Sequence, residues 1–254
     1  KQELNRNDYK VFVMPYEAQP FQQTAFLEAK KFNKKITTIG YLHTLLTPNP
    51  CDFVYRSGAP DLLLVHGESQ IEILQSKLNW PKNKLILTES FRYRLDENRS
   101  LSKKIFTPYT IHNSHIFINE FKKLLINSPA NGFPKFDVKM HPPMSWLQEI
   151  KHFRLKKNLN KIMNLYKDRF SNTPSNKNIS IFFGVTAAVL EALEKGINVV
   201  HICSDPVFQS YSEQIWPNLK SRQSSEFVFH YNLISSGKLI NFGKSKTLNQ
   251  TLKT

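Results

Sequence analysis

The stretch FFGVTAAVLEALEKGINVVHICSDP, Phe182 to Pro206, places a glycine and a hydroxyl at the mouth of a helix. ISIFF before it reads as a buried strand. Gly184 permits a tight turn and a close backbone approach, Thr186 is a good N-cap, and AAVLEALEK is a strong helix former. Gly196 supplies a left-handed stop, and INVVHIC is the next strand. The N–H groups of Ala187 and Ala188 would then point out of the helix start beside a hydroxyl, an arrangement suited to a phosphate. An ordinary strand–turn–helix unit with a threonine cap accounts for the same pattern. Glu191 lies about one turn inside the helix beside Val189, Leu190 and Leu193. A carboxylate there can accept hydrogen bonds from vicinal sugar hydroxyls, or it is a solvated helix glutamate.

VKMHPP is a second candidate. Lys139 and His141 alternate, which puts both on one side of a strand, and Pro142 and Pro143 end that strand. A cation and an imidazole at a strand's carboxyl end would neutralise the phosphate of a leaving nucleotide. His112 and His115 have a spacing that could clamp a metal, but no cysteine or carboxylate cluster accompanies them, so zinc is not expected. No Walker loop, GxGxxG or G-x-S-x-G elbow occurs.

Short apolar strands alternate with amphipathic helices around these residues. KVFVM is strand-like. PFQQTAFLEAKKF has Phe21, Thr24, Ala25, Leu27 and Phe32 near helical spacing, with Pro20 fitting the first turn. KITTIGYL, DLLLVHG and NKLILTES read as strands and ESQIEILQSKL as a helix. The polar, irregular stretch Phe91 to Lys104 places a domain boundary near Ser100. A second set follows: KIFTPYTI as strand, SHIFINEFKKLLIN as helix, KFDVKMHPP as strand, and a basic helical segment from Met144 to about Lys167. SNTPSNKN is a loop. Past Pro206 elements are expected near Gln209 to Ile215 and Glu226 to Leu233. The alternation predicts an α/β protein with two Rossmann-like, parallel-sheet domains, 1–100 and 101–254, facing one cleft. Ligands in such folds sit outside the carboxyl ends of the strands.

The 254 residues carry a formal charge of +15 and 40% hydrophobic content, which excludes wholesale disorder. The charge is compatible with nucleic acid, an anionic membrane surface or phosphorylated small molecules. The lysines are dispersed, which favours solvated faces with some contribution from an anionic substrate or membrane. No zinc-finger or RNA-recognition signature points to nucleic acid. Cys51 and Cys203 are the only cysteines, so a disulfide framework is excluded and a cytoplasmic setting is expected. Cys203 reads as a small buried hydrophobe. No apolar run approaches the roughly 18 to 20 residues of a membrane helix.

The KxHP of Lys139 to Pro142, followed by the Gly184-x-Thr186 turn and Glu191-Ala-Leu-x-x-Gly196-x-x-Val199, resembles the donor-nucleotide domain of GT-B glycosyltransferases. The nearest likeness is to bacterial surface-carbohydrate enzymes with a His-Pro motif, the sialyltransferase and Kdo-transferase-like groups. MPYEAQPFQQ and TIGYLHT are similar to stretches of surface-polysaccharide transferases, and the matches span most of Val11 to Ser204. Gly184-Val185-Thr186 stands where that family has two or three hydroxyl residues. The first domain is short for GT-B, as if leading strands preceded Lys1.

The resemblance implies transfer of a sugar from a nucleotide-activated donor, CMP-linked in those groups, to a growing surface polysaccharide. It implies no metal and no cofactor beyond the donor. Lys139, His141, Gly184, Thr186 and Glu191 would bind the donor, with His141 also catalytic. Glu17 would be the general base, or a loop glutamate capping the helix near Pro20. Tyr16, Gln19 and His43 would contact the acceptor, His43 being alternatively a packed loop histidine. Peripheral contact with the cytoplasmic membrane is compatible with this reading, and nucleic acid is not expected. A teichoic-acid-type polyol-phosphate transferase and a non-catalytic nucleotide-sugar-binding subunit are the alternatives.

Overall fold

The computed structural model describes residues 9–42, 50–90, 100–142, 145–171, 177–208, 212–237 and 239–242. It divides into two α/β units, one formed by Lys1–Leu95 with Ile240–Thr254 and the other by Asp96–Leu239. The break falls a few residues before Ser100, and the return of the chain from Ile240 to the first unit was not foreseen from the sequence.

The first unit is a parallel sheet in the order β1 (Val11–Tyr16), β2 (Thr37–Leu42), β3 (Leu62–Val65), β4 (Leu85–Leu87). Helix α1 (Pro20–Phe32) joins β1 to β2, and α2 (Glu68–Leu78) joins β3 to β4. The stripe that α1 buries is Gln22, Phe26 and Ala29, whereas Phe21 is 62% exposed and Leu27 and Phe32 also face solvent. The expected apolar face is therefore displaced, and Gln22 is the reason. Its carboxamide oxygen accepts from the backbone N–H groups of Glu17 (2.8 Å) and Gln19 (3.0 Å), and its amide donates to the Pro15 carbonyl (2.9 Å). A buried amide that satisfies three backbone groups is stable inside. Below it, Tyr16, Phe26, Phe53 and Trp80 form an aromatic cluster, with Trp80 Nε1 donating to the Phe53 carbonyl at 2.6 Å.

Residues from the far end of the chain finish this unit. The carbonyls of Asn241 and Ile240 accept from the Glu68 and Ser69 N–H groups (3.2 and 3.3 Å) at the start of α2. The Asn241 amide donates to Glu68 Oε2 at 2.7 Å. These are donors that a helix cannot satisfy internally. The approach is close enough that a Cβ on Gly67 would lie 1.9 Å from the Ile240 carbonyl oxygen.

The second unit carries a mixed sheet rather than the expected parallel one. Strands β5 (Lys104–Phe106), β6 (Asp137–Lys139), β7 (Ile179–Phe183) and β8 (Asn198–Ile202) are parallel in the order β6-β5-β7-β8. Strand β10 (Val228–Leu233) then pairs antiparallel with β8, and β9 (Leu219–Ser225) antiparallel with β10 at the edge. The unforeseen strand, β9, reads LKSRQSS. It is an edge strand whose Lys220 and Arg222 leave no apolar alternation to detect. Helices α3 (Ser114–Ile126) and α4 (Trp146–Leu165) bury Phe117, Phe121, Leu125, Leu155, Leu159 and Ile162 in one core with Ile105, Ile181, Phe183, Val200 and Ile202 of the strands. Helix α5 (Ala188–Glu194) packs against β8 and β10, and a short α6 (Ser212–Ile215) follows. Strand β5 stops at Phe106, before Pro108, and β6 stops at Lys139. Both are shorter than the sequence pattern suggests.

Gly67→Ala is expected to destabilise the protein by about 1–3 kcal/mol, the range for forcing an extra methyl into a packed site. Amide exchange at Glu68 and Ser69 should quicken with it. Unfolding curves and hydrogen exchange check both.

Candidate functional site

In the second unit the connection leaving β5 runs to β6 on one side, while β7, on the other side of β5, continues to β8. The strand order thus diverges between β5 and β7, where open α/β sheets form their ligand crevice. A crevice of about 170 Å³ lies there, at the carboxyl ends of β5, β7 and β8. Its walls include Tyr109, His112 and Asn113 after β5, Gly184 and Val185 after β7, and Ser204 after β8. The volume is small beside the ~300–1,000 Å³ of ligand pockets, so it suits one end of a ligand whose remainder lies across the rim.

Helix α3 begins at this crevice. Asn113 is its N-cap residue, Asn113, Ile116 and Phe117 line the wall, and its first turn holds no acidic residue. The positive end of its dipole faces the opening. Gly184 adopts φ +66°, and a Cβ there would meet Pro108 Cβ at 2.8 Å, so the two strand exits approach closely only because this residue is glycine.

Two buried imidazoles hold those exits. His152 of α4, 1% exposed, lies with Nε2 3.3 Å from the Tyr109 carbonyl and Nδ1 3.0 Å from Thr107 Oγ1. A carbonyl only accepts, so Nε2 carries the proton. Nδ1 is paired with the Thr107 hydroxyl, which accepts from the His141 N–H at 3.1 Å. Gln148 Oε1 accepts from the Ile111 N–H at 3.1 Å and holds the same loop. On the other wall His201 Nε2 donates to the Gly184 carbonyl at 2.7 Å. Burial depresses the His201 pKa to about 4, against the opposing effects of that bond and of Asp205. Beside it Cys203 is buried, and burial pushes its thiol up to about 12, so it presents no thiolate at neutral pH.

The residues expected on the donor separate into three places. His141 is exposed at the rim, its ring edge-on to Tyr109 at 4.7 Å, with Nδ1 donating to the Pro142 carbonyl at 2.9 Å. Lys139 instead lines a groove between β6 and α4 with Lys135, Lys156 and Lys167, because the strand ends before the alternation reaches His141. Gly184 lines the crevice. Thr186 is not the N-cap: the cap position is Ala187, and the Thr186 hydroxyl accepts from the Ala188 N–H at 3.3 Å. One of the two donors expected for a phosphate is therefore occupied, and the helix start that faces the crevice is that of α3. Glu191 is neither solvated nor open, being 9% exposed and paired with Lys195 Nζ at 3.4 Å. Among the described residues, no group of three or more His, Cys, Asp or Glu side chains gathers to hold a metal.

In the first unit Tyr16 is 1% exposed inside the aromatic cluster, and burial pushes its phenol up to about 12. It is a core residue, not an acceptor contact. Glu17 is half-buried just past β1, and its carboxylate accepts from the exposed Gln19 amide at 3.2 Å. Ala18 beside it is 1% exposed and adopts φ +59°, a strained conformation for a residue with a Cβ. His43 lies outside the described residues. Tyr109, Asn113 and His152 were missed from sequence, and His112 was weighed only as half of a metal pair with His115. The rule that ligands contact the residues after a strand points to Tyr109, His112 and Asn113, but reading KIFTPYTI as strand through Ile111 put Tyr109 inside the strand.

Because the folded-state pKa of His201 lies below its ordinary value near 6.5, the unfolded chain takes up a proton that the folded chain excludes. The stability this group contributes is full above about pH 6.5 and is lost as pH falls through that window toward about 4. Urea titrations at stepped pH should show His201→Gln less stable than the parent at pH 7.5, with the difference narrowing on acidification. No protein-family model, curated protein or solved structure matches the chain significantly.

Proposed function

We propose that the protein is a glycosyltransferase of the two-domain GT-B type, and that Asp96–Leu239 binds a nucleotide-activated sugar in the crevice between β5 and β7. The position of that crevice at the divergence of the strand order carries the reading. Its features suit a phosphorylated ligand. The start of α3 offers N–H groups and a positive dipole end, Gly184 allows close backbone approach, and Tyr109 offers an aromatic face. His141, with Nδ1 held by the Pro142 carbonyl, would present Nε2 to a phosphate crossing the rim.

In the proposed reaction an acceptor hydroxyl oxygen forms a bond to the anomeric carbon as the bond from that carbon to the donor phosphate breaks. The departing electron pair stays on the phosphate, where His141 and the α3 dipole stabilise the growing charge. The hydroxyl proton passes to a carboxylate base, the role that the sequence resemblance implies for Glu17. The CMP linkage and a surface-polysaccharide acceptor come from the sequence resemblance. A nucleotide-sugar-binding subunit without transfer is the second reading. It is favoured by the internal engagement of Thr186 and Glu191, two groups expected on the donor.

Thermal shifts against a panel of nucleoside monophosphates should give a saturable rise with CMP and none with DNA. His141→Ala should weaken binding about tenfold or more, since a hydrogen bond to a charged group contributes roughly 1.5–3 kcal/mol, and Tyr109→Ala about fivefold or more, since stacking on an aromatic face contributes roughly 1–3 kcal/mol. A flat panel, or unchanged affinity in both variants, overturns the site. Glu17→Gln should lower turnover by about 10²- to 10⁴-fold with nucleotide affinity intact, as expected for a general base. Nucleotide binding without turnover in the parent would select the non-catalytic reading.

A further inference from the structure

Helix α4 buries one face and exposes an unusual one. At about 100° per residue its buried side chains, His152, Leu155, Leu159 and Ile162, form a stripe toward the core. On the opposite side Trp146, Ile150, Phe153 and Lys157 fall within an arc of roughly 60°. Trp146 is 68% exposed and Phe153 63%, with Ile150 at 40% and neighbouring Leu147 at 55%. Solvated helix faces are normally polar, so four large apolar side chains over two turns mark a contact surface. The same face then turns basic, with exposed Arg154, Lys157 and Lys161 and only Glu149 as an acid along the helix.

The geometry points to the exposed face of α4 as a docking surface for an anionic lipid bilayer, with the Trp146–Phe153 stripe entering the interface and Arg154, Lys157 and Lys161 lying over the headgroups. A bilayer engages every part of the face at once. Trp and Phe settle at headgroup level, Leu147 and Ile150 reach the acyl boundary, and the cations meet the anionic surface. Nucleic acid would match the cations and stack on the two aromatics, but it leaves Leu147 and Ile150 against water. A second copy docked face to face would enclose the cations of both copies with only Glu149 along each helix to pair them. No helix among the described residues is long and apolar enough to cross a membrane, so the contact is peripheral. The inference does not depend on the proposed transferase activity.

The tryptophans make the test specific. Trp80 and Trp216 are each 3% exposed, so a lipid-borne quencher reports Trp146. The full chain should sediment with vesicles of phosphatidylcholine containing about 30% phosphatidylglycerol, and weakly with phosphatidylcholine alone. Brominated lipid should quench its fluorescence on binding. Trp146→Phe should remove the quenching and keep the binding. Phe153→Ser with Ile150→Ser should weaken binding about tenfold or more, and Lys157→Gln and Arg154→Gln about fivefold each. All five positions are exposed, and unchanged circular dichroism confirms that each variant folds. Absence of binding to anionic vesicles, binding without quenching of Trp146, or retention on RNA with no lipid binding would each overturn the inference.

Discussion

A buried imidazole N–H must find an acceptor, and three histidines of this chain find it in a backbone carbonyl. His66 donates to Leu42, His152 to Tyr109, and His201 to Gly184. Leu42 is the last residue of β2, Gly184 is the first residue after β7, and Tyr109 lies in the exit from β5. In the second unit the two exits held in this way flank the point where the strand order diverges. The walls of the crevice are thus fixed from the core outward, by side chains whose rings are packed and whose tautomers are set by an oxygen that can only accept.

The same arrangement separates a neutral floor from a polar rim. His201 stays uncharged at neutral pH, Cys203 stays a thiol, and burial raises the pKa of the nearby Tyr231 phenol as well. The positive dipole end of α3 and the exposed His141 lie nearer solvent. A ligand entering this crevice would place apolar or hydrogen-bonding atoms inward and its anionic part at the mouth.

Regular elements were legible wherever a local pattern specified them. The strand of ISIFF, the helix of ESQIEILQSKL and the long helix after the His-Pro turn follow from β-branched and aromatic runs, helix formers and breakers. What was not legible depended on partners distant in sequence. LKSRQSS is a strand only because β10 lies beside it. Gln22, a nearer case, is buried because backbone groups three to seven residues back need its amide, which rotated the inner face of α1 away from Phe21 and Leu27. At the site, Gly184 could be read because a positive φ leaves a mark in residue type. Glu191 and Tyr16 could not, since neither residue type records that a lysine four positions on, or an aromatic cluster, will enclose it. His152 is the converse case, a histidine inside a basic helix whose importance depends on a loop some 40 residues earlier.

The capping of α2 by Ile240 and Asn241 gives vectorial synthesis a definite order. Those carbonyls leave the ribosome about 150 residues after β4, which at ~5–20 residues per second is a delay of about 8–30 s. Asp96–Leu239 is continuous in the chain and emerges whole within that interval, so it can complete its fold first. The earlier-made unit waits with the first N–H groups of α2 uncapped. Of the two units, the one translated earlier is therefore closed later, and a chaperone acting on the nascent chain would meet that helix end in its open state.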